Sequence, residues 1–375
     1  MRFILLASFS QSILSFRGDL LKELKKRGFE IHIIAPFLGS SGKRNADDLE
    51  KLGFFIHNLD ISRRGLNPIT DIITFCKLLK IISAIKADYI LSYTIKPVIY
   101  GTFAAFVVGV KKRFALITGL GHTFTQGNQK MPYPLVNFLT RLMMRFSIKF
   151  SSGIIFQNKD DLKLLKKLNV VKKSKCLGVV NGSGININIY ERKPLPETLN
   201  FLFIGRFIET KGVNEFLKAA EIAKGKNLDI SFSIAGWNDS GVGSIDQNYI
   251  ELMHKKNIIY NFGFLEDVRP AIEKSSVFVL PSYREGVPRS TLEAMSMGRP
   301  IITTDVPGCK ETVIDGYNGF LIKKGSVNEL LEKINIFINN PDLIPKMGEQ
   351  SHNLVKEKYD VKIINKEMLG MMNIS

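Results

Sequence analysis

Short apolar runs of four to seven residues recur along this chain, each followed by a stretch whose apolar positions fall at helical spacing. In the first half the runs at 3–7, 30–35, 54–58 and 89–92 alternate with helical patterns at 18–27, 47–52 and 69–86. That rhythm is the signature of βαβ units, in which each helix carries the chain back so that the next strand runs parallel to the last. A second series begins at 199–205. It continues through a helix at 214–225, a strand at 230–235, a short helix, and strands at 258–262 and 277–281. Between the two lies the polar, proline-bearing run 191–197, of the kind that separates domains. With 375 residues, 45% of them hydrophobic, the chain exceeds one typical core. The expectation is α/β: two facing Rossmann-like doubly wound domains, 1–192 and 193–355. The final segment 356–375, in which Tyr359, Ile363, Ile364 and Met368 alternate with charges, is expected to cross back as a helix onto the first domain.

The first ten residues place one basic side chain before an apolar run, as a signal peptide does, but the run is brief and leads into a helix and a second strand. It reads as a first strand. No stretch reaches the roughly 18 apolar residues that crossing a bilayer requires. Cys76, Cys176 and Cys309 have neither paired nor zinc-like spacing, which fits structural thiols in a reducing compartment. A cytoplasmic protein is expected.

The net charge of +17 is unevenly placed. Residues 1–193 carry 31 Lys and Arg against 12 Asp and Glu, a net of +19, whereas 194–375 carry 21 against 23, a net of −2. An anionic partner for the first half alone follows, either nucleic acid or an acidic membrane surface, beside the ordinary alternative of a solvated face.

In open α/β sheets ligands bind beyond the carboxyl ends of the strands. After the run ending at Ile204 come Gly205, Arg206, Lys211 and Gly212 and then a helix, so a guanidinium and an ammonium stand beside a helix amino terminus. This is an anion site, or, taken alone, two cations that merely solvate a turn. After Pro281 come Glu285, Gly286, Val287 and Pro288 on a turn and Glu293 on the inner face of the next helix. Such carboxylates can accept hydrogen bonds from the vicinal hydroxyls of a ribose and of a hexose. The competing use, an acid/base pair across a glycosidic bond, leaves the anion site without purpose.

Gly205, Arg206, Lys211, Gly212, the run from Pro281 to Glu293 and Ala294, Gly298 to Ile301, and Asp305, Gly308, Glu311, Gly316 and Gly319 together resemble the donor domain of family 4 glycosyltransferases of GT-B fold. The resemblance covers nearly all of 199–321. It implies that Arg206 and Lys211 bind a diphosphate, Glu293 a ribose and Glu285 the transferred sugar, so that Arg206, Lys211 and Glu285 form the catalytic group. Gly205, Gly286, Val287 and Pro288 would bring backbone close to the sugar phosphate, and Gly263 and Phe264 would lie near the base. No Asp-x-Asp occurs, which fits catalysis without a metal or other cofactor, with the cations offsetting charge on the leaving diphosphate. The resemblance implies retention of anomeric configuration, the donor phosphate itself taking the acceptor's proton.

In the first half, Phe16, Arg17, Leu20 and Leu21, the run from Ile61 to Pro68, Tyr93 to Pro97 with Gly101, and Arg113 to Gly121 carry a narrower likeness. They resemble bacterial transferases that add GalNAc or a related sugar to undecaprenyl diphosphate-linked saccharides in O-antigen, capsule or glycan assembly. Arg17, Lys96, Gly119, Gly121 and His122 are the candidates for the acceptor or sugar side, Gly119 and Gly121 through close backbone approach. His122 is displaced from the position where many relatives carry a histidine. Residues 135–150 read as a helix with Arg141, Arg145 and Lys149 every four residues beside Phe138, Leu142, Phe146 and Phe150. That helix suits an anionic membrane interface, or a core position with a basic edge. The partners implied are a nucleotide sugar, a lipid-linked saccharide and the inner face of the plasma membrane, with no nucleic acid.

Two other readings compete. A UDP-sugar 2-epimerase of the same fold needs acid/base groups around the sugar, and five histidines in the whole chain supply few. A nucleic-acid-binding protein would use the basic half but leaves Glu285, Glu293 and the glycine turns unexplained, and no recognition helix or aromatic platform is evident.

Overall fold

The computed structural model describes residues 1–61, 68–120, 133–226, 229–238 and 243–374. The chain divides into two compact units, Met1–Ser183 together with Ile364–Ser375, and Gly184–Ile363. Each contains one parallel sheet.

In the first unit the strands are β1 (Arg2–Leu6), β2 (Glu30–Ala35), β3 (Phe55–Asn58), β4 (Tyr89–Tyr93), β5 (Lys112–Ile117), β6 (Gly153–Phe156) and β7 (Cys176–Val179). Their order is β3-β2-β1-β4-β5-β6-β7. Chain direction across the sheet therefore reverses between β1 and β4, the point where open α/β sheets form their crevice. The helices are α1 (Gln11–Lys26), α2 (Gly39–Lys51), α3 (Pro68–Ile85), α4 (Ile95–Val108), α5 (Tyr133–Lys149) and α6 (Lys159–Lys167). Asn158 caps α6 by accepting the Asp161 backbone N–H at 2.7 Å.

Two helices are longer than their apolar spacing suggests. The first starts at Gln11 and not at 18, because the stripe Ile13, Arg17, Leu20, Leu21 and Leu24 is buried as one face and includes an arginine. The second starts at Gly39, where two glycines and two serines carry low helix propensity, and Gly42 passes so close that a Cβ there would stand 2.6 Å from the Phe37 carbonyl carbon.

The second unit has strands β8 (Leu199–Ile204), β9 (Ile230–Ala235), β10 (Tyr260–Asn261), β11 (Val277–Leu280), β12 (Ile301–Thr304) and β13 (Gly319–Ile322), in the order β10-β9-β8-β11-β12-β13. Its direction reverses between β8 and β11. Helices α7 (Val213–Lys226), α8 (Gln247–Lys255), α9 (Arg269–Glu273), α10 (Arg289–Ser296), α11 (Val327–Asn339) and α12 (Leu343–Lys358) cover the faces of this sheet, and α13 (Val361–Met371) follows. The segment expected as one terminal helix is thus broken at Tyr359 and Asp360. Ile364, Met368, Leu369 and Met372 enter the core of the first unit with Phe3, Leu20 and Leu24.

Arg299 ties the second unit together. Fully buried, it donates to the carbonyls of Ile272, Lys193, Met297, Pro194 and Glu273 at 2.8 to 3.1 Å. Burial lowers its pKa to about 10.

Candidate active site

In the second unit the loops after β8 and β11 leave adjacent strands in divergent directions, so their side chains converge at the carboxyl edge. The Lys211 ammonium bonds to Glu285 Oε1, and the Ser282 hydroxyl donates to the same oxygen at 2.7 Å. The two loops are also stitched through backbone, with Tyr283 N–H donating to the Thr210 carbonyl at 2.9 Å. Gly212 makes this approach possible. It has φ +72°, and a Cβ there would lie 2.0 Å from the Pro281 carbonyl oxygen. Directly after it α7 begins, its amino-terminal N–H groups next to Lys211.

A third loop closes on Glu285 from β12. Its backbone N–H donates to the Pro307 carbonyl at 3.0 Å, and Gly308, at φ +86°, lies so near that a Cβ would stand 2.3 Å from the Glu285 carbonyl oxygen. Beneath it sits Cys309, whose thiol is pushed up to about 12 by burial and then by the Glu285 charge. The Tyr283 hydroxyl donates to Glu215 at 2.6 Å and is raised to about 12, chiefly by burial.

Gly286, Val287 and Pro288 lead into α10, whose first turn takes no side-chain cap. Within that helix Glu293 is 7% exposed and accepts from the Tyr190 hydroxyl at 3.0 Å and Arg289 Nε at 2.9 Å, both at Oε1. Burial raises its pKa and outweighs the lowering by Arg289 and Tyr190. Glu285 and Glu293 therefore occupy different settings: one is paired with an ammonium on a loop, the other held in a buried hydrogen-bonded cluster. Arg206 is half-buried on the loop after β8, which is joined to the loop after β9 by Phe207 N–H to the Trp237 carbonyl at 2.9 Å.

Sequence reading passed over Trp237. Its ring packs edge-on against Phe264 at 5.5 Å, and both are exposed, at 43% and 61%, at the ends of β9 and β10. The Gly263 carbonyl accepts from Gly236 N–H at 2.8 Å, so Gly263 and Phe264 share this corner. The available signal was that Trp237 is the one tryptophan and directly follows a strand.

The first unit has its own crevice. Ser8 and Thr94 hydroxyls are 2.8 Å apart where β1 and β4 diverge, and Thr94 is held at φ +73°, ψ 162°. A β-branched residue rarely occupies that region, and such strain collects at functional sites. Arg17 is 2% exposed, its guanidinium 5.7 Å from the Tyr93 ring centre and 3.9 Å from the Met368 sulfur. Lys96 pairs with Asp71 at 3.0 Å, both side chains nearly buried. Gly119 follows β5. Gly121, His122 and the Arg63–Arg64 pair lie outside the described residues. Among the described residues no group of three or more His, Cys, Asp or Glu is placed to hold a metal ion, and no helix is long and apolar enough to cross a membrane.

Two doubly wound domains match the GT-B fold, and the similarity to known proteins supports a glycosyltransferase. Two family models divide the chain accordingly: Glycosyl transferase 4-like matches residues 4–158 and Glycosyl transferases group 1 matches 188–358. The chain is 29% identical to the N,N'-diacetylbacillosaminyl-diphospho-undecaprenol alpha-1,3-N-acetylgalactosaminyltransferase of Campylobacter jejuni, over 99% of this chain and 98% of that one. It is 27% identical to the UDP-Gal:alpha-D-GlcNAc-diphosphoundecaprenol alpha-1,3-galactosyltransferase of Escherichia coli, over 91% and 86%. Anabaena HepE, solved with UDP and glucose, superposes with a TM-score of 0.76 at 17% identity, over 100% and 99% of the two chains.

Proposed function

We propose that the enzyme transfers a hexose or N-acetylhexosamine, GalNAc before Gal or GlcNAc, from a UDP-sugar to an undecaprenyl diphosphate-linked saccharide, with retention, in O-antigen, capsule or glycan assembly. The observation that carries this is the Lys211–Glu285–Ser282 cluster at the switch point of the second sheet. A carboxylate already oriented by an ammonium and a hydroxyl can grip sugar hydroxyls without reorganising, while the helix start beside Lys211 favours phosphate. In this reading Arg206 and Lys211 take the diphosphate, Glu293 the ribose, Glu285 the transferred sugar, and Trp237 with Phe264 the base. Negative charge developing on the leaving diphosphate is offset by these cations, so no metal is required.

The near full-length similarity to two diphospho-undecaprenol transferases supports a lipid-linked acceptor. The +19 charge of residues 1–193 supports peripheral attachment to the anionic inner face of the plasma membrane.

The test is UDP release from a panel of UDP-sugars by wild type and Glu285→Ala, with and without membrane lipid extract, in EDTA and in Mg²⁺. One donor turned over only with lipid, equally in EDTA and in Mg²⁺, and lost in the variant is the expected result. Sugar isomerisation without lipid, or no use of any nucleotide sugar, would refute the assignment.

A further inference from the structure

Helices α3, α4 and α5 share one core cluster of the first unit, with α4 in contact with both neighbours. Between them is a cavity of about 420 Å³ whose lining is almost wholly apolar, including Ile72 and Phe75 of α3, Phe103 of α4, and Leu139, Met143 and Phe146 of α5. Aromatic rings line it, Phe75 stacked on Phe103 at 5.6 Å and Phe146 edge-on to Phe103 at 5.1 Å. Its lining residues Ile72, Leu139 and Phe146 are exposed. A contiguous apolar opening of this kind on a folded surface needs an occupant.

The groove has a polar end and an apolar end. Asp71 and Lys96 stand near the amino termini of α3 and α4, which follow β3 and β4 and therefore lie at the carboxyl edge of the sheet, where substrates meet. From there α5 runs toward the opposite edge, passing Leu139, Met143 and Phe146. The acidic lining residue Asp71 is paired with Lys96, and the exposed cations Arg145 and Lys149 stand near the carboxyl end of α5. An occupant with a hydrocarbon body would lie along the apolar lining with its polar head at the Asp71–Lys96 end, the carboxyl edge of the sheet.

We propose that this groove holds the first isoprene units of the acceptor's polyprenyl chain, with its diphosphate-saccharide head at the Lys96 end. The inference rests on the lipid-linked acceptor proposed above and adds where the lipid is gripped and how its head is aimed. A cavity of this size takes a few isoprene units, leaving the remainder of a long chain to the bilayer.

Calorimetry on the full chain without detergent tests it, using farnesyl diphosphate, inorganic diphosphate and dodecyl phosphate as probes. Farnesyl diphosphate is expected to bind wild type at least ten-fold more tightly than either other probe. In the Ile72→Trp/Leu139→Trp variant, which fills the groove from exposed rim positions, that advantage is expected to vanish with the thermal melt unchanged. If the double variant does not fold, Leu139→Ser alone is expected to weaken farnesyl diphosphate about five-fold. Farnesyl affinity unchanged in the folded variants overturns the proposal. So does dodecyl phosphate binding equally well, which would make the groove a seat for bilayer chains, or a wild-type dimer that the filled variant abolishes, which would make it a contact between copies. Lipid-dependent UDP release alongside unchanged farnesyl affinity would sink the groove and spare the transferase. Selective farnesyl binding lost on filling, in an enzyme that uses no UDP-sugar, would spare the groove and sink the transferase.

Discussion

One carboxylate oxygen of Glu285 receives both the Lys211 ammonium and the Ser282 hydroxyl, the latter at 2.7 Å. The carboxylate is thereby oriented before any sugar arrives, and Lys211 is pinned beside the start of α7. Glu285→Gln keeps the shape and removes the charge. Turnover is expected to fall on the order of 100-fold, with UDP affinity changed only a few-fold. Steady-state kinetics paired with UDP titration separate the two effects, and a parallel loss of UDP affinity would argue against a sugar-side role.

Glu293 is buried, and that burial raises its pKa above the ordinary carboxylate value. A carboxyl that holds its proton more tightly folded than unfolded makes the folded state lose stability as pH rises from about 4.5 through the raised value. Glu293→Gln is expected to flatten this decline in the ligand-free protein while weakening UDP binding. Thermal melts of both proteins between pH 4 and 8 check it, and parallel curves would show that the carboxylate is not strained by burial.

Thr94, at φ +73° and ψ 162°, stores roughly 1 to 3 kcal/mol if the surrounding structure is what holds it there. Thr94→Gly is expected to raise the melting temperature and to lower transfer activity, since the Ser8–Thr94 contact disappears. A destabilised glycine variant would mean that the hydroxyl contact outweighs the backbone strain.

Lys96→Ala strands the Asp71 carboxylate in a nearly buried site and is expected to cost about 3 kcal/mol. Asp71→Leu/Lys96→Met is expected to recover most of that loss. If the double variant regains stability in denaturant titrations but not transfer, Lys96 serves the acceptor as well as the fold.

Trp237→Ala removes half of the exposed aromatic corner formed with Phe264. A stacking role for the base predicts roughly ten-fold weaker UDP binding, and an equal loss for ribose phosphate lacking a base would exclude it.

Much of this architecture was legible in the chain. Strands 30–35 and 230–235 coincide with β2 and β9, each apolar at four of six positions, short, rich in Ile and set between helical patterns, as strands covered on both faces are. The loops carrying Arg206, Lys211 and Glu285, and the helix carrying Glu293, were legible because they follow such runs. Strand 258–262 contracts to Tyr260–Asn261, since an edge strand is limited by what its single neighbour can pair. Buried Arg17 and the glycines of α2 hid two helix starts, tertiary packing there overriding local propensity.

By itself, then, the sequence determined the alternation of strands and helices, the presence of two α/β series, and which residue types follow each strand, because periodicity and turn chemistry are local. Only the tertiary structure decided that Lys211 and Glu285, 74 positions apart, form an ion pair. The same holds for the exposure of Trp237 beside Phe264, the forced backbone of Thr94, and the apolar groove that three separate helices open above Phe103. Each depends on strand order across a sheet and on which helix faces meet, and those are settled by long-range pairing that no short window of sequence contains.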